Sequence, residues 1–146
     1  MNLQKFVNLP DVYNNTALIE ASKRNFVSAA RILLENLGAD RDFTNHMKHT
    51  ALSVAGMNGH LSMVKLLVEQ GSNVLIENCE QNNCLDNAVS MEKLEAVEYL
   101  ESFVYEAKLW RAKNCLVKLM LNRRKAKKIT NISEGVFREI IKYAGV

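Results

Sequence analysis

The chain has 146 residues, of which 48% are hydrophobic and 24% are charged, and its formal net charge is +3 at pH 7. This length suits one compact domain, and the apolar content is enough to bury a core without approaching a membrane composition. No apolar run reaches the roughly 18 residues of a spanning helix, and the opening sequence MNLQKFVNLPDVYNN lacks the basic start and apolar middle of a secretory signal. These features exclude a membrane span and predict an intracellular, cytoplasmic protein.

Three stretches of the chain align with one another. TALIEASKRNFVSAARILL from Thr16 aligns with TALSVAGMNGHLSMVKLLV from Thr50 at an offset of 34 residues, and NCLDNAVSMEKLEAVEYLE from Asn83 follows at a further 33. In this frame the coinciding residues are Leu18, Leu52 and Leu85, then Ala21, Ala55 and Ala88, then Leu33, Leu67 and Leu100. A period of this length predicts stacked structural repeats.

The middle stretch predicts two short helices joined by a turn. Thr50 is a candidate N-cap, Leu52 and Ala55 mark the inward side of the first helix, and Gly59 permits the left-handed turn that follows it. The second helix is predicted to bury Leu61, Val64, Leu67 and Val68, with Leu66 near the edge. Gly71 is predicted to end it.

At these positions the chain resembles the ankyrin-repeat family, whose pattern is D-x-x-G-x-T-P-L-H-x-A-A-x-x-G-H-x-x-x-V-x-x-L-L-x-x-G-A-D in about 33 residues. The repeats are assigned to residues 11–43, 44–76 and 77–103. The third departs most, because Asn83 replaces Thr, Glu92 replaces Gly and the closing Gly is absent. The resemblance implies an all-α solenoid of helix-turn-helix repeats over residues 1–103, followed by C-terminal capping helices in a basic helical segment, residues 104–146.

In ankyrin stacks the turn tips and the outward residues of each first helix form a concave strip that binds partners. Carried over by position, the resemblance implies partner contact at Val12, Tyr13, Asn15, Lys23 and Arg24 in the first repeat, at His46, Met47, His49, Met57 and Asn58 in the second, and at Cys79, Glu80, Asn82, Ser90 and Met91 in the third. We call these residues the partner strip. Tyr13, Met47, Met57 and Met91 offer apolar anchors within a polar surround, which is typical of a protein-binding patch.

Charge is divided unevenly along the chain. Residues 1–103 carry 8 Lys or Arg against 13 Asp or Glu, a net −5, whereas residues 104–146 carry 11 against 3, a net +8. The densest part is NRRKAKK, in which we call Arg123–Lys128 the basic run. Such a run is typical of a nuclear-import signal, a nucleic-acid contact, an acidic-lipid site or a solvated helix end. No aromatic residue lies among these charges to stack on bases, which argues against nucleic acid.

The basic segment opens with a stretch that predicts a long amphipathic helix. VYEAKLWRAKNCLVKLMLN places Leu109, Ala112 and Leu116, with Leu119 or Met120, on one side. Such a helix suits the role of covering the exposed end of the third repeat, which a solenoid must cap. Trp110 is predicted to anchor that packing.

The last segment, ITNISEGVFREIIKYAGV, predicts another amphipathic helix with Asn131 or Ser133 as its N-cap. It resembles the opening helix of an F-box, L-P-x-E-V-L-x-x-I-L-x-Y-L, with Ser133 in place of the Pro and Gly135 in place of the Glu. It is also similar to the C-terminal domain of poxvirus ankyrin proteins, which implies host-pathogen interaction and recruitment of a Skp-type ubiquitin-ligase adaptor. The residues that match are Ile132, Val136, Phe137, Ile140 and Ile141, with Tyr143 at the aromatic place. The alternative is a second capping helix, which would hide Phe137 and Ile141.

Residues that would support catalysis or metal binding are few. The histidines are His46, His49 and His60, and the cysteines are Cys79, Cys84 and Cys115. The cysteines are odd in number and lack CxxC spacing, so neither a disulfide framework nor a zinc site is predicted, and Cys84 is interpreted as a small core residue. The sequence has no Gly-rich phosphate loop and no nucleophile beside a histidine in a recognisable motif. We therefore predict no enzymatic activity, no cofactor and no metal.

These features predict binding rather than chemistry. The leading hypothesis is a non-enzymatic adaptor that holds a partner protein on the partner strip and presents it to another protein through the basic segment. The second hypothesis is an F-box-like substrate receptor that recruits a cullin ubiquitin ligase through its last helix. The third is a nuclear regulator that uses the basic run, which adds the nucleus to the expected locations.

Overall fold

A computed structural model describes the backbone of residues 6–121 and the side chains of residues 6–114. In this part of the chain there are six α-helices and no β-strand. The helices are α1 (Ala17–Lys23), α2 (Val27–Glu35), α3 (Ala51–Asn58), α4 (Leu61–Glu69), α5 (Cys84–Ser90) and α6 (Leu94–Leu121). The predicted all-α fold of successive helix pairs is confirmed. Between residues 6 and 121 no helix has the length and apolarity needed to cross a bilayer.

Each pair begins with a capped first helix. The side-chain oxygens of Thr16, Thr50 and Asn83 accept hydrogen bonds from backbone N–H groups three residues later, at 3.4, 3.1 and 3.1 Å. In the third pair the cap is reciprocal, because the carboxylate of Asp86 accepts the backbone N–H of Asn83 at 3.1 Å. The N-cap predicted at Thr50 is confirmed, and Asn83 is the N-cap in the third repeat, which lacks the threonine.

The turn within each pair needs one residue with left-handed backbone. Gly59 adopts φ of 70° as predicted, and its equivalents Asn25 and Glu92 adopt 58° and 56°. Glycine takes this conformation without steric cost and asparagine tolerates it, whereas a glutamate in the same place is strained. The third repeat therefore has the same turn, at a higher cost in conformational free energy.

The core lies where the first helices stack on one another. α3 is the central helix, because it packs on α1, on α5 and on its own partner α4. Its residues Ala51, Leu52 and Ala55 are at most 1% exposed. A Cβ atom at Gly56 would lie 3.1 Å from the carbonyl oxygen of Cys84, so α5 lies close to the backbone of α3 at this glycine.

The buried face of α4 is wider than the sequence predicted. Val64 and Leu67 are buried as expected, whereas Leu61 and Val68 are only partly covered. The prediction that Leu66 lies near the edge is wrong, because it is 2% exposed, and Met63 is also fully buried. The physical reason is that α4 packs against both α3 and α2, so it buries two sides rather than one stripe.

The third pair also differs from prediction. We expected the third repeat to end at Phe103 and a separate helix to follow, but α6 runs without a break from Leu94 to Leu121. The first two repeats close with Gly38 and Gly71, which adopt φ of 67° and 79°. The third has no glycine there, so its backbone remains helical through the predicted domain boundary between residues 103 and 104.

The chain separates into two compact units, Met1–Tyr105 and Glu106–Val146. Within the first unit, α6 buries Ala96, Leu100 and Val104 to at most 1% exposure. Among the described residues of the second unit, Trp110 is 67% exposed, so the packing role predicted for it is not observed.

Candidate binding surface

A turn of the same construction precedes each helix pair. It starts at Asp11, Asn45 and Asn78, whose side-chain oxygens accept hydrogen bonds from the backbone N–H groups two and four residues later. The two bonds measure 2.9 and 2.8 Å in the first turn, 3.0 and 3.0 Å in the second, and 2.9 and 3.0 Å in the third. These side-chain bonds fix the backbone of each turn. We call residues 11–15, 45–49 and 78–82 the tip row.

The fourth residue of each turn has left-handed backbone. Asn14, Lys48 and Gln81 adopt φ of 64°, 58° and 64° at the place where the family pattern has glycine. Asparagine tolerates this conformation better than lysine or glutamine does. The side-chain bonds from the turn's first residue therefore hold two strained residues in place.

Hydrogen bonds also join each turn to the next. The carbonyl oxygen of Tyr13 accepts the backbone N–H of His46 at 3.3 Å, and that of Met47 accepts the N–H of Cys79 at 3.1 Å. Asn14 adds a bond from its side-chain amide to the carbonyl of Thr44 at 2.8 Å. The three turns thus form one connected row with a fixed spacing between repeats.

The structure places the partner strip in two groups. Nine residues lie in the tip row: Val12, Tyr13, Asn15, His46, Met47, His49, Cys79, Glu80 and Asn82. The remaining six lie at or just after the C-terminal ends of the first helices: Lys23 and Arg24 on α1, Met57 and Asn58 on α3, and Ser90 and Met91 on α5.

Most of the apolar anchors are accessible. Tyr13 is 69% exposed, Met47 54% and Met91 49%, while Met57 is partly buried. Val12, which was not singled out as an anchor, is the most exposed of the group at 84%. Because the backbone of the turns is fixed before binding, it adds little ordering cost, and large exposed apolar side chains on it suit an interface centre.

The partly buried polar members of the partner strip make side-chain hydrogen bonds within the fold. Asn15 accepts the side-chain amide of Asn45 at 3.1 Å, and Asn82 donates its side-chain amide to Glu80 at 3.3 Å. His49 holds the Oγ atom of Ser53 at 3.0 Å through Nδ1. Together with Met57, Asn15, His49 and Asn82 are the partly buried members of the strip. They offer less side-chain surface to a partner than the exposed members do.

His49 begins a chain of polar side chains that crosses from the second repeat to the third. The side-chain amide of Asn87 donates to Ser53 Oγ at 2.8 Å, and that of Asn78 donates to Asn87 at 3.2 Å. Ser53, Asn78 and Asn87 are at most 7% exposed. Because buried polar groups are costly when unpaired, this chain fixes the third turn against α3 and α5.

The surroundings of His49 favour its neutral form. Burial lowers the pKa of His49 below its ordinary value of 6.5, and the nearby carboxylate of Glu80 opposes that shift. The Nδ1 atom of His49 lies 3.0 Å from Ser53 Oγ, so the serine hydroxyl can donate to Nδ1 when that atom carries no proton. In the first turn, the backbone N–H of Asn15 lowers the pKa of Asp11, which keeps that carboxylate ionised as an acceptor.

The two features most relevant to chemistry are the environment of Cys84 and the distribution of possible metal ligands. Cys84 is 2% exposed, and burial raises the pKa of its thiol to about 12, so it is a core residue and not a nucleophile. Among residues 6–114 no three His, Cys, Asp or Glu side chains lie close enough together to hold a metal ion. What the arrangement can do is display apolar and polar side chains on a rigid row.

Sequence reasoning missed the residues that build this row. The starting residues Asp11, Asn45 and Asn78 recur at offsets of 34 and 33, so their signal was present in the same frame as the leucines. The role of Asn87 had no such signal, because its partners lie in other turns and helices. The basic run and the predicted adaptor-recruiting residues, Ile132, Val136, Phe137, Ile140 and Ile141, lie outside the described residues.

Comparison with known protein families gives two overlapping matches. The family described as "Ankyrin repeats (3 copies)" matches residues 36–108, which is half of the chain, and "Ankyrin repeat" matches residues 13–46. Together the two matches cover the whole tip row except residues 11 and 12. They match neither the basic run nor the segment predicted as the last helix, so they give no support to an F-box-like domain.

One curated relative is Palmitoyltransferase AKR1 from Candida albicans. It is 35% identical to this chain over 86 residues, which are 59% of this chain and 10% of that protein. The chain therefore spans about a tenth of the length of this relative. Similarity over so small a part carries no enzymatic activity to this chain.

Proposed function

The chain belongs to the ankyrin-repeat family, and from this premise we propose that it is a non-enzymatic binding module whose protein partner contacts the partner strip. One observation carries the proposal. The tip row holds exposed apolar side chains, above all Tyr13 and Met47, on turns that are fixed internally and tied to one another. A surface ordered before binding loses little conformational entropy when a partner docks.

The charges of the partner strip differ between its two ends. At the first-repeat end, Lys23 and Arg24 are exposed beside Glu20, which lies 3.7 and 3.6 Å from them, and Asp11 is exposed in the first turn, so basic and acidic groups offset one another. At the third-repeat end the exposed charges are acidic, with Glu80 in the tip row and Glu92 in the turn after α5. A partner with basic groups facing α5 complements this difference, which favours one orientation and faster association.

The test is to remove the anchors and leave the fold intact. Affinity capture with the full chain identifies the partner, and the variant Tyr13→Ala/Met47→Ala then measures the contribution of the strip. We expect its affinity to fall at least about tenfold with an unchanged thermal midpoint, because both side chains are exposed. Leu94→Ala is the matched control, since Leu94 is 73% exposed and lies outside the strip. Equal affinity of the double variant and the control would rule the strip out.

A finer proposal is that the chain acts as an adaptor, with the last segment recruiting a Skp-type protein. Its support is the sequence of residues 132–141 alone. Capture with the full chain is compared with capture by a version that ends at Lys128. Loss of an adaptor and cullin from the shorter version supports recruitment. If both versions capture the same partners, the last segment recruits no adaptor and the protein is a binding module alone.

Location is a separate proposal that rests on the basic run. The protein is proposed to be cytoplasmic, with a nuclear fraction if Arg123–Lys128 is read as an import signal. Deleting these residues from a fluorescent fusion tests this, because a nuclear role requires the deletion to move the protein out of the nucleus.

A further inference from the structure

The first helix pair carries an apolar groove on the side that faces away from the second repeat. We call it the end groove; it has a volume of about 520 Å³. Its lining consists of Ala17, Glu20, Ala21, Arg24, Phe26, Ala29, Ile32 and Leu33. All of these residues belong to α1, α2 and the turn between them, and Phe26 and Ile32 are 56% and 55% exposed.

The same positions in the second repeat are buried. Met63, Leu66 and Leu67 align with Ala29, Ile32 and Leu33, and each is at most 2% exposed. They are covered because α1 and α2 pack on α3 and α4. The end groove is therefore a stacking surface of the kind that the array buries elsewhere, and it is open in the described part of the chain.

We propose that the end groove binds the end groove of a second copy of this chain across a two-fold axis. Glu20 and Arg24 lie one helical turn apart on α1, with 3.6 Å between Oε2 and Nε. When two α1 helices meet antiparallel, each Glu20 comes beside the Arg24 of the other copy, so the groove is complementary to itself in charge. The small side chains of Ala17 and Ala21 allow the helices to approach, and the contact covers Phe26 and Ile32.

The other way for two copies to meet is head to tail, with an end groove on the far face of the third repeat. Inside the array, the residues that face the next repeat are small: Ser22 on α1 is fully buried, and Gly56 on α3 has the carbonyl oxygen of Cys84 close by. Their equivalent on α5 is Val89, which is 55% exposed. A valine holds a stacked helix away where glycine and serine admit it, so the third repeat does not accept a further repeat and the two-fold contact is favoured.

Sedimentation of the full chain over a range of concentrations tests this proposal. We expect a reversible dimer of the 16.5 kDa chain, weakened at least about tenfold by Ile32→Glu and by Phe26→Glu, which place a charge in the covered surface. Helical circular dichroism should be unchanged, because both side chains are already exposed in a single copy. The strip variant Tyr13→Ala/Met47→Ala is the control and should remain dimeric, which separates this proposal from the proposed function.

A charge-exchange experiment distinguishes the two-fold contact from other contacts. Glu20→Arg makes both charges of a groove basic and Arg24→Glu makes both acidic, so each variant alone should be monomeric. A mixture of the two should form a dimer again, because opposite grooves now meet. A wild-type monomer at every attainable concentration, oligomers that grow beyond two, a dimer that survives Ile32→Glu, or a mixture that stays monomeric would each overturn the proposal.

Discussion

The second and third repeats share one sequence pattern, yet their second helices end differently. In the second repeat, Gly71 follows α4 with φ of 79°, and the chain turns back toward the next tip. In the third, Val104 takes the place of Gly71 and α6 continues to Leu121. A left-handed residue after the last turn is what ends such a helix. The closing glycine therefore sets the length of the second helix in this array.

A second difference lies between the first helices of the same two repeats. Gly56 lies where α5 is close to the backbone of α3, whereas its equivalent Val89 is largely exposed on α5. A repeat inside the stack needs a small residue at this position, and the last described repeat does not. The same position therefore has a steric role in one repeat and almost none in the other.

Exchanging these residues gives the largest expected effect. Gly56→Val should lower the free energy of unfolding by about 3 kcal/mol, because its Cβ alone would lie 3.1 Å from the carbonyl oxygen of Cys84. Val89→Ala is the matched control and should change stability by less than about 0.5 kcal/mol, since its side chain is exposed. Urea unfolding of both variants measures the two values, and similar losses would mean that the close approach at Gly56 is not decisive.

The polar chain between the two repeats gives the next effect. Asn87→Ala should cost about 2 kcal/mol, because it removes two hydrogen bonds and leaves the buried side-chain amide of Asn78 without its acceptor. Hydrogen exchange should then speed up at the amides of Glu80 and Asn82, which depend on Asn78. Asn58→Ala is the control, since that side chain is exposed and bonds only within its own helix. Unchanged exchange in the third turn would contradict a linking role for Asn87.

The turn within each pair gives a smaller effect of opposite sign. Glu92 and Gly59 occupy equivalent left-handed positions with φ of 56° and 70°. Glu92→Gly should raise the free energy of unfolding by about 0.5 to 1 kcal/mol, because relief of strain exceeds the added entropy of the unfolded chain. Gly59→Ala should lower it by at least as much, because its Cβ would also lie 2.9 Å from Cδ of Lys93. If both changes were destabilising, the glutamate would have a compensating contact in the third repeat.

The parts of the fold that sequence predicts are local and periodic. Thr50 as a cap needs only the backbone three residues on, and the burial of Leu52 and Ala55 follows from the repeat frame. The frame also predicts where Glu92 replaces glycine, although it does not show that the left-handed turn survives the replacement. Such features depend on near neighbours, which a single repeat contains.

The parts that sequence misses depend on neighbours from other repeats. Leu66 was placed at an edge because one stripe was assumed, but α4 has neighbours on two sides. Ile32 occupies the same place in the pattern as Leu66 and is exposed, so burial at this position depends on the covering repeat and not on the residue. The link from Asn78 through Asn87 to Ser53 joins three elements, and no periodicity in the sequence marks it.

The smallest expected effect is a pH dependence of the contact between the second and third repeats. The pKa of His49 is lowered in the folded protein, so the unfolded chain binds a proton more readily. The stability that neutral His49 provides is therefore complete above about pH 6.5 and is lost as the pH falls through the folded-state pKa. Protonation makes Nδ1 a donor, so the Ser53 hydroxyl can then only accept at this contact, while it also accepts the amide of Asn87.

Urea unfolding between about pH 7.5 and pH 5 measures this loss, and His49→Gln supplies the reference because glutamine does not titrate in that range. The carboxylates that protonate at lower pH contribute equally to both proteins, so the difference in slope belongs to His49 and its neighbours. We expect the wild type to lose more stability than His49→Gln as the pH falls. Parallel curves would mean that protonation of His49 does not change the free energy of unfolding. The contact between His49 and Ser53 would then survive protonation.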